Sequence, residues 1–146
     1  RSLAANLVDS YRLEDAETLY NIARQGYDML ISNDMSNDTN NVAIDVQFGS
    51  LEIGNGFGEM RLKQRQLDVA NEEYTNTMNG LKHWMKRDNM THAQHTQGEI
   101  ASLVSMNGIG NVALKQHKYE EAEYWYTRCI AGRKKIGFHD YYYSNF

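Results

Sequence analysis

Asn55, Glu59 and Lys63 are spaced by four, and so are Asn107, Asn111 and Lys115. On a helix, residues four apart share a face, so each trio would project as one polar row. A primary amide both donates and accepts hydrogen bonds, which suits it to an extended peptide backbone. A lysine ammonium pairs with a carboxylate. The chemistry on offer is non-covalent capture of a peptide or of a segment of a partner protein. Asparagine and lysine recur at matching places in the two trios, and packing alone does not demand that. Glu52 and Val104 would flank the two polar rows at matching places but differ in type. The plainer alternative is a pair of solvated polar faces.

Other groupings also invite a chemical reading. Asn55-Gly56-Phe57-Gly58 and Asn107-Gly108-Ile109-Gly110 look like pieces of a phosphate loop. Neither follows a strand pattern or completes a nucleotide fingerprint, and glycines that let helices approach are the better account. Asp34, Ser36, Asp38, Asn40 and Asp45 come near the spacing of a calcium loop. Thr39 stands where that loop needs glycine, and Asp45 where it needs a bidentate glutamate, so a solvated turn is expected. His92 and His95 lie in an expected loop with only His83 and His117 to join them, whereas zinc takes three or four ligands. Cys129 occupies a small-residue core position and reads as packing. No Ser-His-Asp or paired-carboxylate arrangement has supporting context, so the expectation is no enzyme, no metal and no cofactor.

The elements that must carry these residues are helices. The chain of 146 residues contains no proline, the residue that breaks helix interiors. Residues 1–12 read as the tail of one helix, and Leu13 opens a second that runs to about Ile31. Its apolar positions Ala16, Leu19, Tyr20, Ala23, Tyr27 and Leu30 follow the three-and-four spacing of a buried stripe. The run 32–41 is dense in Ser, Asn and Asp, whose side chains compete for backbone hydrogen bonds and stop helices. A long helix from about Asn41 to Gln64 presents Ile44, Phe48, Leu51, Phe57 and Met60 inward. After a tight turn at Arg65-Gln66, a partner helix from Leu67 to about Arg87 carries Ala70, Tyr74, Met78, Leu81, Trp84 and Met85. A second polar loop is expected over Asp88–Gln97. The long helix then repeats over Gly98–Gln116 (Ile100, Leu103, Ile109, Val112), the turn repeats at His117-Lys118, and the partner repeats over Tyr119–Ile136 (Ala122, Tyr126, Cys129, Ile130). Gly137 is a plausible C-terminal stop.

The formal charge of −4 and the scattered 15 Lys and Arg argue against nucleic acid as a partner. One cysteine cannot form an internal disulfide, which favours a reducing, cytoplasmic setting. No apolar run approaches the ~18 residues of a membrane span, and the N-terminus lacks signal-peptide order. Without an initiator Met, the chain reads as an excised fragment.

The long helix and its partner are written twice. Residues 50–71 and 102–123 align at a displacement of 52, with identities that include Leu51/Leu103, Asn55/Asn107, Gly56/Gly108, Gly58/Gly110, Lys63/Lys115 and Ala70/Ala122. A third copy of the partner helix starts at Leu13-Glu14-Asp15-Ala16, with Tyr20 answering Tyr74 and Tyr126. Self-similarity of this kind marks a repeat architecture. The division expected is a partial repeat over 1–31, repeats over 42–87 and 98–136, and the start of a further unit at 138–146.

At these residues the chain resembles the tetratricopeptide repeat family. It shares a helix with a small residue at a close crossing (Gly58, Gly110, and Ala4 in the partial copy), a short turn, and a second helix with Ala and an aromatic four later. The run Lys118–Glu123, the basic segment Arg128–Lys135 and Gly137-Phe138-His139-Asp140 are similar to the long-period, kinesin-light-chain-like branch. The resemblance implies an all-α, right-handed α-solenoid fragment of antiparallel helix pairs. It also implies a scaffold that binds a peptide or partner protein on a concave face lined by Asn55, Glu59, Lys63, Asn107, Asn111 and Lys115. The alternative is a structural or oligomerisation segment of a larger multidomain protein, self-associating through uncapped repeat ends. The chain departs from the family in its longer period, in the missing helix-ending proline, and in having Arg65 and His117 where the turn glycine belongs. If those turns need a left-handed residue, each costs roughly 1–2 kcal/mol.

Overall fold

The computed structural model describes the backbone of residues 3–34 and 41–137, and side chains within 12–32 and 43–137. Among these residues there are five helices and no strand: α1 (Leu3–Asp34), α2 (Asn41–Lys63), α3 (Leu67–Met85), α4 (His92–Lys115) and α5 (Tyr119–Ile136). Each packs on the next in chain order, and α2 also meets α4. The core lies along these contacts, with Phe57 and Met60 of α2, Ala70, Tyr74, Met78, Leu81 and Trp84 of α3, Leu103, Ile109 and Val112 of α4, and Ala122 and Cys129 of α5 all buried.

Glycine sets how closely these helices approach. A Cβ on Gly58 would lie 2.7 Å from the Tyr74 ring, and one on Gly110 the same 2.7 Å from the Tyr126 ring. Gly80 meets Leu51 and Gly132 meets Leu103 in the same manner. These contacts recur at the displacement of 52 that the sequence alignment carries. Tyr74 is also met closely by Gly108, as Tyr20 is by Gly56. The Ala-x3-aromatic rows are therefore packing rows, their rings filling gaps that only a side chain of no size leaves open.

Both tight turns are left-handed. Arg65 and His117 each have φ of 61°, a region that costs an ordinary residue about 1–2 kcal/mol. Each turn is closed by backbone bonds, Gln66 N to Arg61 O at 2.9 Å and Lys118 N to Ala113 O at 2.9 Å. Replacing Arg65 by glycine should stabilise the protein by about 1 kcal/mol, because relief of that conformation outweighs the extra unfolded-state freedom of glycine. Denaturant midpoints measure this, and a lower midpoint would contradict the strain. Gly137 ends α5 with φ of 75° and bonds back to Lys134 O, as a left-handed C-terminal stop does.

Four expectations need correction. The helix break before Leu13 is absent, and α1 runs unbroken from Leu3. Tyr11-Arg12 corresponds to the left-handed turn at Arg65-Gln66, but the backbone there stays helical. Continuing a helix adds a backbone bond for each residue fixed, which favours the unbroken form. Secondly, α4 begins at His92, six residues before Gly98. Gln94 N donates to Thr91 Oγ1 at 3.0 Å and Thr91 N donates to Gln94 Oε1 at 3.0 Å, a capping box whose Thr-x-x-Gln signal the polar composition hides. Thirdly, α3 stops at Met85, and the connection over 86–91 includes Asn89 at φ 64°. Lastly, Leu19, Leu30 and Ile130 are exposed, at 67%, 50% and 50%, because no described helix covers those faces. The polar run reaches Asp34 as helix, residues 35–40 and the expected unit at 138–146 lie outside the described residues, and the crossing expected at Ala4 lies outside the described side chains.

Candidate functional site

Asn55 is only 7% exposed, and its amide is engaged within the protein. Its Nδ2 donates to Ala101 O at 3.1 Å, and its Oδ1 accepts from Ser105 Oγ at 2.6 Å. It therefore pins α2 to α4 across 46 residues of chain, and satisfies a buried amide that would otherwise be costly. Glu59 and Lys63 are exposed and pair with each other at 3.2 Å, one helical turn apart. On α4, Asn111 Oδ1 accepts from Tyr126 OH at 2.5 Å, Asn107 is half-buried, and Lys115 is exposed.

The polar row that the sequence draws as one stripe is divided between two recesses. The first, about 630 Å³, is lined by α1, α2 and α4. Tyr20 and Tyr27 of α1, Phe48, Glu52, Ile53, Asn55 and Glu59 of α2, and Gln97, Ile100 and Val104 of α4 line it. Among the described residues its charges are the carboxylates of Glu52 and Glu59, and no Lys, Arg or His lines it. The second, about 780 Å³, lies at the two left-handed turns. Leu62, Leu67, Leu114 and Tyr119 are its apolar lining, and its charged or titratable groups are Lys63, Arg65, Lys115 and His117. The structure thus brings Asn55 together with Glu59 in one recess and Lys63 with Lys115 in the other, the two adjoining at the Glu59–Lys63 pair. Asn107 and Asn111 line neither recess.

Sequence reasoning missed Tyr20, Tyr27, Phe48 and Gln97 as groove residues. The three rings stand at packing positions of their helices, and no local signal separates a ring that fills a core from one that walls a recess. Gln97 was hidden because its segment reads as loop, and the Thr91 capping box is the signal that would have placed it on a helix.

The remaining groupings have local roles. Burial pushes the Cys129 thiol up from its usual range against the opposing effect of Arg133, and its Sγ donates to Leu103 O at 3.5 Å. A thiol so held is protonated and packed. Burial, with the Glu59 charge adding to it, raises the Tyr74 phenol far above its ordinary range. His92 and His95 stand in the first turn of α4 rather than in a loop, and His95 Nδ1 lies 3.4 Å from Glu99 Oε1. Among the described residues, no three His, Cys, Asp or Glu side chains converge as a metal site would. Of the calcium-like spacing, Ser36, Asp38 and Asn40 lie outside the described residues, and Asp45 Oδ1 accepts from Gln94 Nε2 at 3.3 Å. No helix among the described residues is long and apolar enough to cross a membrane.

No protein-family model, curated protein or solved structure matches this chain.

Proposed function

We propose that the chain is a short tetratricopeptide-like array, a right-handed solenoid fragment, whose α2–α4 face binds a peptide or a segment of a partner protein. The observation that carries this reading is the recess at α1, α2 and α4, where apolar walls surround a few polar groups. Binding sites for extended ligands are built in that way. The recurrence of the Gly58–Tyr74 contact as Gly110–Tyr126 supports the array, because stacked similar units form a continuous face along their first helices. Asn55 holds that face rigid, while Glu59, Lys63, Asn107, Asn111 and Lys115 are the groups assigned to the partner. The role is binding without catalysis, in a cytoplasmic setting that the lone Cys129 favours.

Selection of random dodecapeptides on the immobilised protein tests the reading. Peptides that bind the wild type should bind Gln97→Ala/Val104→Ala, at two exposed residues of that recess, several-fold more weakly, while the melting temperature of that variant stays unchanged. Failure to enrich any binder would sink the proposal.

A second reading has one observation in its favour. Leu19, Ile22, Met29 and Leu30 form an exposed apolar stripe on α1, which suits an oligomerisation segment. Mass by light scattering that rises with protein concentration would favour it, and a constant monomer mass would remove it.

A further inference from the structure

Resting on the peptide-binding proposal, we infer that the recess at α1, α2 and α4 recognises a basic side chain, so that the peptide it takes carries arginine or lysine among apolar residues. This is the opposite polarity from the carboxylate that Lys63 and Lys115 suggest from sequence, and it follows from which groups the fold gathers. Glu52 and Glu59 supply two carboxylates, and Tyr20, Tyr27 and Phe48 bring three aromatic rings to the lining. A cation over an aromatic face is attracted by the ring quadrupole, and carboxylates beside it add charge-assisted hydrogen bonds. An acidic peptide would meet two carboxylates here, and none of the described lining residues is cationic. Among the described residues Glu52 has no ion pair, and Glu59 has only the solvent-exposed Lys63, a type of pair that contributes little and yields easily.

The protein already holds one of its own cations by the same means. Arg24 Cζ sits 3.9 Å from the centroid of the Phe57 ring, and its Nη2 lies 3.0 Å from Glu73 Oε2. Ring plus carboxylate is therefore a working cation seat in this fold, and the recess offers the same parts with room for a guest. Glu52 also distinguishes the two copies, since the matching position on α4 is Val104. The two face the same recess, which pairs a charged wall with an apolar one and suits a peptide whose residues alternate in kind.

The test uses fluorescence anisotropy with a labelled decapeptide alternating leucine and arginine, and its analogue with citrulline at every arginine. Citrulline keeps the shape and removes the charge. The arginine peptide should bind at least about tenfold more tightly than the citrulline one. Glu52→Gln/Glu59→Gln should lose about that factor, whereas Glu120→Gln/Glu121→Gln, an equal charge change on the exposed start of α5, should shift affinity by less than about twofold. Equal affinities for the two peptides, or equal losses in the two variants, would overturn the inference. So would enrichment of Asp- and Glu-rich sequences in the dodecapeptide selection, an outcome that leaves peptide binding itself standing. An empty selection would instead remove the function on which the inference rests.

Discussion

Replacing Phe57 by alanine should lower the unfolding free energy by about 3–5 kcal/mol, the range for an aromatic ring deleted from a closed core. Phe57 is 1% exposed. Its ring stands 5.5 Å from that of Tyr20 and lies under the guanidinium of Arg24, which in turn reaches Glu73 on α3. Truncation removes the surface on which α1 rests as well as core volume. Urea unfolding followed by circular dichroism would give the magnitude, and amide exchange would give its location. Protection should fall first in α1, whose other contacts are with α2 alone among the helices, and least in α5. A loss below about 1 kcal/mol would mean that the site collapses freely and that the α1–α2 junction is looser than its geometry implies.

Gly108→Ala should destabilise the protein by about 1–2 kcal/mol, against the gain that alanine normally brings to a helix interior. Helix propensity favours the change by about 1 kcal/mol. The new Cβ, however, would lie 2.4 Å from Cε1 and Cζ of Tyr74. That ring is 4% exposed and is also in close contact with Gly58, so it has little room to move, and overpacking of this kind costs about 1–3 kcal/mol. Gly26→Ala is the control. It lies in α1 with nothing within 4 Å of its Cβ position, and it should stabilise by up to about 1 kcal/mol. Combining Gly108→Ala with Tyr74→Leu should cost less than the sum of the two changes, since the colliding ring is gone. A raised melting temperature for Gly108→Ala alone would show that the ring is not pinched.

Much of the fold is legible in the residues themselves. The paired motifs at a displacement of 52 mark which helices are alike, and the bounds of α5 follow from Lys118 before it and Gly137 after it. Arg65 and His117 fall where a left-handed turn is needed, and both adopt one despite their side chains. The site is less legible. The row of residues spaced by four is correct as helical geometry, yet its members have different fates. Asn55 turns inward to Ala101 and Ser105, Glu59 joins an acidic recess, and Lys63 and Lys115 border a basic one.

What the sequence by itself determined is local and periodic: helices rather than strands, two similar helix pairs, and glycines matched to the aromatic rings they admit. What only the tertiary structure decided is what lies opposite each face. Periodicity states that Leu19, Leu30 and Ile130 lie on apolar stripes, but it cannot state whether a neighbour covers them, and none among the described residues does. The same limit hid the recess, because its walls come from three helices and Tyr20 and Ile100 are 80 residues apart in the chain. A side chain's partner across such a distance is set by the summed packing of all the helices between, and no short window of sequence contains that sum.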